Sequence, residues 1–376
     1  MADFKVMTIV GTRPEIIRLS QIIPKLDRLC THVLVHTGQN YDYELNQIFF
    51  DDFGIRAPDH YLCAAGESAA ETIGQVIAMA DRILAQERPD ALLILGDTNS
   101  ALSSIAAKRR RIPVFHMEAG NRCFDERVPE EINRRIVDSI ADVNMPYSQI
   151  AREYLLREGF PPDRIIVTGS PMDEVLAAHR ASIAASDVLD RLQLKDENFF
   201  VLSMHREENV DTPRNLQRMT QIANGVVERY GMPIVFSCHP RTRKRLEESD
   251  NRLGDAVKVM KPLGFNDYIR LQMSAKATLS DSGTISEESS ILNFPAINLR
   301  EAHERPEAIE EGAVMMTGLD PDRVFLALEL LERQKRGDER TLRKVRDYDA
   351  PAVSDKVLRI IVSYADYVKR TVWREY

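Results

Sequence analysis

Three carboxylates fall where the sequence pattern places the end of a buried strand or the start of a helix. Asp97 follows the apolar run at 91–95, Glu118 lies in the segment FHMEAGNR at 115–122, and Glu130 opens a helical pattern. Open α/β sheets bind ligands at the carboxyl ends of their strands. Because like charges that converge at such an edge must be held at different pKa values, these acids are candidate proton-transfer groups.

The pair formed by Glu130 and Glu131 also has a simpler interpretation. Both residues follow Pro129, which favours the first position of a helix, and the helix dipole favours acids in the first turn. This structural interpretation remains open for each of them. It does not account for Asp97, which stands at a strand end.

The first predicted strand leads into the loop GTRPE at 11–15. Gly11 permits a tight turn and Pro14 begins a helix, so backbone N–H groups there could bind an anion beside the cation of Arg13. The loop does not have the GxGxxG pattern, and it therefore gives no support to a nicotinamide cofactor.

A second candidate phosphate loop has the sequence SDSGTISEE at 280–288. Ser282, Gly283 and Thr284 would open a helix and supply N–H and hydroxyl donors. Glu288 lies one helical turn further on, at a distance suited to a ribose diol. The alternative is that the Ser-Gly-Thr sequence only caps the helix.

Two further loops carry histidines after predicted strands. The sequence MHREEN at 204–209 places His205 and Arg206 at a strand end, and CHPR at 238–241 contributes His239, which could equally be a hydrogen-bonded loop residue. With a helix start and an acid in the second half and carboxylates in the first, a cleft between the halves would hold a nucleoside diphosphate and its attached group.

Short apolar strands alternate with amphipathic helices, which is typical of parallel βαβ units. Strands are predicted near 4–10, 32–36, 91–95, 113–117, 142–146 and 164–168, and again near 199–204, 233–237, 257–260, 277–280, 295–299 and 313–316. Helices are predicted near 67–87, 149–158, 172–183, 213–229, 320–335 and 352–370. We predict an α/β protein with two Rossmann-like domains, at 1–170 with the carboxylates and at 171–350 for nucleotide binding, and a segment at 351–376 that packs back across both.

The bulk composition excludes several classes of protein. A formal net charge of −8 argues against a nucleic-acid surface. The cysteines Cys30, Cys63, Cys123 and Cys238 show no paired spacing, which argues against a disulfide framework or a zinc site and fits a reducing cytoplasm. We expect no signal peptide, because the N-terminus is charged and enters a strand at once, and no apolar run is long enough to span a membrane.

The ordered motifs of the chain resemble those of the non-hydrolysing UDP-N-acetylglucosamine 2-epimerases, from about residue 5 to about residue 365. The markers are GTRPE at 11–15, GDT at 96–98, EAG at 118–120, PEE and NR within 129–134, HR and EN within 205–209, SDSG at 280–283 and ERPE at 304–307. The resemblance implies a GT-B-like fold of two Rossmann-like domains with parallel sheets and an active site in the interdomain cleft.

The same resemblance implies roles for individual residues. It assigns the catalytic groups to Asp97, Glu118, Glu130 and His205. We expect UDP and the sugar to be bound by Arg13, Arg18, Arg122, Arg134, Arg206, His239, Ser282, Gly283, Thr284, Glu288 and Arg305. A homodimer is expected, with no cofactor, no metal, no nucleic acid and no membrane partner.

The chain departs from the plain epimerase pattern at a few positions. Arg18 stands where the family usually has Lys, Thr284 where it has Gly, and Glu207 where it has Arg. Many plain epimerases bind UDP-N-acetylglucosamine at a second, activating site. Gln39 matches one residue of that site, but Asp42 replaces a glutamine of it.

Two segments look most like the branch of UDP-N-acetyl-L-fucosamine synthases, which epimerise C2 of UDP-2-acetamido-2,6-dideoxy-L-talose. They are EAGNRCFD at 118–125 and the stretch at 282–306. Cys123 and Phe124 would then suit an apolar methyl group on the sugar, unless Phe124 only packs beneath its loop. The product would serve surface polysaccharide (O-antigen or capsule) synthesis.

Epimerisation at C2 needs a particular arrangement of groups. The C2 hydrogen has no adjacent carbonyl, so loss of UDP from C1 as the proton leaves avoids a free carbanion. UDP then adds back while a proton arrives on the other face, which requires an acid or base on each face and support for the leaving diphosphate. The alternatives are a plain UDP-N-acetylglucosamine 2-epimerase, a GT-B glycosyltransferase and a non-catalytic nucleotide-sugar sensor.

Overall fold

The computed structural model describes residues 4–38, 50 and 52–375, without the side chains of residues 207 and 208. It divides into two compact units, Met1–Val175 with Ala350–Tyr376, and Leu176–Asp349. Each unit contains a six-stranded parallel sheet, which confirms the predicted fold class of two Rossmann-like α/β domains. Gln39 and Asp42, which concern the activating site, lie outside the described residues.

The sheet of the first unit has the strand order of a Rossmann fold. Its strands are β1 Lys5–Val10, β2 Thr31–His36, β3 His60–Tyr61, β4 Ala91–Leu95, β5 Val114–Met117 and β6 Val143–Met145. Their order across the sheet is β3-β2-β1-β4-β5-β6, and every neighbouring pair is parallel. The strand order therefore reverses between β1 and β4, where such sheets bind ligands.

Some helices of this unit begin with local capping signals. Ser68 accepts a hydrogen bond from the N–H of Glu71, and the helix that follows buries Val76, Ala80 and Leu84 on one face. The helices are α1 Arg13–Leu19, α2 Ile23–Leu29, α3 Ala69–Glu87, α4 Ser104–Arg109, α5 Pro129–Ile140 and α6 Gln149–Arg157, with 3-10 turns at Asn99–Ser103 and Pro162–Arg164. Helix α7, Met172–Ala184, runs across the boundary between the units.

The second unit repeats the same topology. Its strands are β7 Phe200–Met204, β8 Ile234–Cys238, β9 Val257–Met260, β10 Thr278–Ser280, β11 Ala296–Asn298 and β12 Met315–Met316. They lie in the order β12-β11-β10-β7-β8-β9, so this sheet reverses between β7 and β10. Its helices are α8 Val188–Leu192, α9 Glu207–Val210, α10 Pro213–Tyr230, α11 Pro240–Glu247, α12 Phe265–Ser274, α13 Ile285–Leu292, α14 Pro306–Glu310 and α15 Pro321–Leu331, followed by a 3-10 turn at Arg346–Tyr348.

Two details of the strand prediction are wrong. The predicted strand at 164–168 forms an isolated bridge between Asn144 and Ile165 and no regular strand, because this segment pairs with β6 on one side and then turns away. The short strand β3 is not predicted, since two polar and aromatic residues give no periodic signal.

The C-terminal helix α16, Val353–Val372, belongs to the first unit. The N–H of Ser354 donates to Glu174 at 3.0 Å, and Lys25 Nζ lies 2.7 Å from Asp355. The prediction that this segment also packs against the second domain stays a prediction. In the described ranges we find no helix with both the length and the apolar character needed to cross a bilayer.

Candidate active site

Asp97 and Glu118 follow two neighbouring strands of the first sheet. Strand β4 pairs with β5, and the backbone N–H of Gly96 donates to the carbonyl of Met117 at 3.0 Å. The residues immediately before the two acids are therefore hydrogen-bonded to each other. Both acids lie at the carboxyl edge of the sheet, as the sequence predicts. Asp97 follows β4, one of the two strands between which the strand order reverses.

The backbone of Glu118 has the left-handed conformation, with φ of 65°. A side chain other than glycine is strained there, and such strain is concentrated at functional sites. The carboxylate is mostly buried, and its Oε2 lies 3.5 Å from Nε of Arg18, which is itself buried. Arg18 thus provides a cation beside one predicted acid.

Asp97 is held by an arginine on α5. Its Oδ2 accepts from Nη2 of Arg134 at 2.6 Å and from Nε at 3.0 Å. Nη1 of the same guanidinium lies 2.9 Å from Oε2 of Glu131, so the buried arginine bridges two carboxylates. The predicted contact of Arg134 with UDP-sugar stays a prediction, while its contact with the predicted catalytic Asp97 is present in the structure.

The two consecutive acids at the start of α5 differ in environment. Glu131 is fully buried and accepts from the N–H of Cys123 at 3.1 Å and from Arg135 at 3.1 Å. Burial by itself raises the pKa of Glu131, but the Cys123 N–H and the Arg134 guanidinium bring that pKa below its ordinary value. The structural interpretation, in which the acid stabilises the fold and takes no part in proton transfer, therefore applies to Glu131. Glu130 is half-buried, and its catalytic role stays a prediction.

A buried acid that the site prediction leaves out occupies the loop after β1. Oε2 of Glu15 accepts from the N–H groups of Gly11 at 2.9 Å and Thr12 at 2.6 Å, and Oε1 contacts the hydroxyl of Ser100. Burial raises the pKa of Glu15 above its ordinary value despite these hydrogen bonds. The expectation that these backbone N–H groups bind a ligand anion is thus corrected, because an internal carboxylate fills them. The Thr-x-x-Glu capping box was the available signal.

Arg122 lies inside the first unit rather than on an open surface. Its Nη1 is 2.7 Å from Asp138 and its Nη2 is 2.6 Å from Glu158, and the side chain is fully buried. These contacts favour a structural role. Phe124, by contrast, is 66% exposed and contacts Tyr154 edge-on, so it does not pack beneath its loop. The sugar contacts predicted for Arg122 and Phe124 stay predictions.

In the second unit, His205 and Asp281 meet where the strand order reverses. His205 follows β7 and Asp281 follows β10, and Nδ1 of the histidine lies 3.1 Å from Oδ1 of the aspartate. Asp281 is fully buried and also accepts from the backbone N–H groups of His205 and Arg206. Burial by itself raises the pKa of Asp281, but His205 and these hydrogen bonds lower that pKa to about 2.

The pairing makes Asp281 a functional candidate that the sequence interpretation passed over. The side chain of His205 is 40% exposed, so one side of its imidazole is accessible to solvent while Nδ1 contacts the buried carboxylate of Asp281. The available signal was its place in the SDSG motif, directly after a strand. A carboxylate behind a histidine fixes the orientation of the ring.

The predicted phosphate loop lies beside this pair. The hydroxyls of Ser282 and Thr284 are 3.0 Å apart, and Thr284 is the N-terminal cap of α13. Around Gly283, a Cβ would lie 3.5 Å from Glu304 Oε2 and 3.9 Å from Arg206 Nη2. The loop is therefore next to the predicted Arg206, whose Nη2 is 3.6 Å from Glu304.

The remaining predicted residues of the second unit have different surroundings. His239 is exposed, caps α11 by accepting from the N–H of Arg241, and has its ring 6.3 Å from that of His205. Glu288 is buried and accepts from Gln272 at 3.0 Å. Arg305 is buried, with Nε 3.5 Å from Glu287. Their ligand contacts, like that of the partly exposed Arg13, stay predictions.

Comparison with known proteins places this chain in a family. A family profile described as UDP-N-acetylglucosamine 2-epimerase matches residues 25–362. The chain is similar to the UDP-N-acetylglucosamine 2-epimerase of Methanocaldococcus jannaschii, at 34% identity over 88% of this chain and 93% of that protein.

Solved structures agree with this result. A structure of UDP-N-acetylglucosamine 2-epimerase from Rickettsia bellii has a TM-score of 0.93 at 49% identity, over 99% of this chain and 100% of that chain. The Methanocaldococcus jannaschii enzyme in complex with UDP-GlcNAc and UDP has a TM-score of 0.89 at 31% identity, over 96% and 100%. Acinetobacter baumannii MurG, at 14% identity and a TM-score of 0.54, shares the fold alone, which confirms the GT-B-like class.

The profile match covers most of the sequence, and the carboxylates stand where the sheet topology of the matched fold binds ligands. The chain therefore belongs to the UDP-N-acetylglucosamine 2-epimerase family and is an isomerase, a UDP-sugar 2-epimerase.

Proposed function

We propose that this enzyme converts UDP-2-acetamido-2,6-dideoxy-L-talose to UDP-N-acetyl-L-fucosamine by eliminating UDP and adding it back. The observation that carries the chemistry is the placement of Asp97 and Glu118 after neighbouring strands, with Arg134 on one acid and Arg18 beside the other. Two acids held separately can serve the two faces of C2, which inversion requires.

The reaction begins with two coupled events. One carboxylate takes the proton from C2 while the C1–O bond to the diphosphate breaks, so that the electron pair of the C2–H bond forms the C1–C2 double bond. The glycal then accepts a proton at C2 from the other acid, which begins the reaction as a protonated carboxylic acid on the opposite face, as a diphosphate oxygen re-forms the bond to C1. Atoms and charges balance without an oxidant or a metal.

We further propose that the second unit supports the departing diphosphate. The exposed His205 is oriented by buried Asp281, and Arg206 and the hydroxyls of Ser282 and Thr284 lie beside it. Cations and hydroxyl donors of this kind stabilise the charge that develops on a leaving phosphate. On this proposal both units act on one molecule of UDP-sugar.

The choice of sugar rests on the segments at 118–125 and 282–306, which resemble the L-fucosamine synthases. The test is to assay both UDP-sugars at equal concentration. We expect faster turnover of the 6-deoxy-L-talose substrate, because the L-configuration reverses the ring substituents and requires C2 to meet the acids from another direction. Faster turnover of UDP-N-acetylglucosamine would contradict this assignment.

Faster turnover of UDP-N-acetylglucosamine would support the second candidate function, a UDP-N-acetylglucosamine 2-epimerase. The names of the similar proteins favour this candidate. Proton NMR of the UDP-sugars in deuterium oxide separates the other classes. Epimerisation places deuterium at C2, a glycosyltransferase releases UDP without labelling C2, and a sensor changes neither the UDP-sugar nor its labelling.

We also propose that the enzyme is a cytoplasmic homodimer that supplies a precursor of surface polysaccharide. Sedimentation of the purified protein tests whether it is a dimer.

A further inference from the structure

Two buried polar side chains lie beneath the acid-bearing turns of the first unit and are not used by the mechanism above. They are His116, in the middle of β5, and Asp138, on the inner face of α5. Neither side chain has any exposed surface. Burial of a polar group is costly unless it is paired, so the contacts of these residues indicate what they do.

His116 holds the turn that carries Asp97. Its Nε2 lies 2.8 Å from the carbonyl oxygen of Gly96, the residue immediately before Asp97. A carbonyl can only accept, so Nε2 carries the hydrogen in this contact. Gly96 has a φ of +74°, a left-handed turn that a glycine permits and that the histidine bond holds from the inside.

Asp138 holds the turn that carries Glu118. Both of its carboxylate oxygens lie 3.2 Å from the backbone N–H of Gly120, two residues after Glu118. This turn has no room to adjust, since a Cβ on Gly120 would stand 2.5 Å from the carbonyl oxygen of Ala151. The strained backbone of Glu118 is thus fixed from its C-terminal side.

The two buried residues also contact each other and a compensating cation. Oδ1 of Asp138 is 3.0 Å from Nδ1 of His116, and Oδ2 is 2.7 Å from Nη1 of Arg122. Burial by itself raises the pKa of Asp138, but His116 and Arg122 bring that pKa below its ordinary value. Asp138 therefore contacts the turn at Gly120 directly, and it lies next to the His116 ring that contacts the turn at Gly96.

We propose that His116 and Asp138 are positioning residues that set the separation of the Asp97 and Glu118 carboxylates. The inference rests on the proposed function, in which these two acids serve opposite faces of C2. A displacement of about 1 Å at a reacting group can cost about a hundredfold in rate. A tether one or two residues from each acid is therefore expected to act on turnover and not on the binding of UDP.

The two ring contacts can be separated with two variants. In His116→Gln the amide nitrogen reaches about as far as Nε2, so the bond to Gly96 can be kept. In His116→Asn it reaches only as far as Nδ1, so that bond is lost. We expect kcat to fall by at least about tenfold in His116→Asn and by less than about threefold in His116→Gln, with the Kd for UDP unchanged in both.

A third variant tests the other turn, and a fourth serves as the control. Asp138→Asn places an amide against Arg122 or His116 and should lower kcat by at least about tenfold. Glu158→Gln weakens the same buried cluster through Arg122 but touches neither turn, so it should lower the melting temperature and leave kcat within about twofold.

Hydrogen exchange without substrate provides a readout that does not depend on activity. Peptides that cover residues 96–98 should exchange faster in His116→Asn than in His116→Gln, and those that cover 118–121 faster in Asp138→Asn. If wild-type protein turned over neither UDP-sugar, the proposed function would fail while this exchange pattern still tested the tethers. Equal kcat and equal exchange in the two His116 variants, or failure of His116→Asn alone to fold, would show a purely structural role and overturn the proposal.

Discussion

The guanidinium of Arg134 binds one oxygen of Asp97 through two of its nitrogens, at 2.6 and 3.0 Å. A planar guanidinium fixes the direction of a carboxylate as well as its charge. The geometry therefore presents Asp97 as an oriented, charged group at the carboxyl edge of the first sheet.

Neutral replacements of the two acids should stop the reaction without removing the ligand. We expect Asp97→Asn and Glu118→Gln each to lower kcat by at least about a hundredfold, the usual worth of a positioned acid or base. The Kd for UDP, measured by calorimetry, should change far less. Glu126→Gln is the matched control, because Glu126 is an exposed acid in the loop between Glu118 and α5. A variant that lost UDP affinity but kept full turnover would show that its acid binds UDP and does not transfer the proton.

Replacing the bridging arginine with lysine should separate charge from orientation. Arg134→Lys keeps the cation but loses the paired contact with Asp97, so we expect kcat to fall by about tenfold or more. Arg135→Lys is the control on the same helix, since Arg135 is half exposed and its contact is with Glu131, at 3.1 Å. Steady-state kinetics of both variants measure the difference. Equal kinetics would mean that the orientation of Asp97 is set elsewhere.

The His205–Asp281 pair should make stability depend on acid pH. The pKa of Asp281 is lowered from an ordinary value of 3.8 to about 2, so its ionised form stabilises the folded state above pH 3.8. This contribution, about 2 kcal/mol, is lost as the pH falls toward 2. Urea unfolding from pH 5.5 to 3 should show the wild type losing more stability than Asp281→Asn. His205→Ala keeps the acid but removes its partner, so its loss of stability over this pH range should lie between those of the wild type and Asp281→Asn.

The buried Glu15 should be needed for stability through its hydrogen bonds. Glu15→Ala leaves the N–H groups of Gly11 and Thr12 unsatisfied, at a cost of about 1–3 kcal/mol for each buried donor. Glu15→Gln should cost less, because its oxygen can still accept and its amide can donate to the hydroxyl of Ser100. Glu71→Ala removes a similar but exposed contact and should cost less than about 1 kcal/mol in thermal unfolding. A larger loss in Glu71→Ala would contradict the explanation.

Much of the fold can be predicted from the sequence because its signals are local. The apolar runs of β1, β4 and β7 stand out, since strands buried on both faces read as continuous apolar segments. Helices α3 and α10 follow from periodicity and caps. Strand β3 has no such signal, because its existence depends on pairing with β2.

The same distinction applies to the candidate site. The sequence by itself determined that Asp97, Glu118, His205 and Asp281 follow strands, and parallel strands place their carboxyl ends at one edge. It could not tell Glu130 from Glu131, because adjacent helical residues point about 100° apart and only packing decides which one is buried. Nor could it show that Arg134 binds Asp97 or that His116 and Asp138 tie the acid-bearing turns together. Those pairings depend on distances between side chains far apart in the chain, which only the tertiary structure decides.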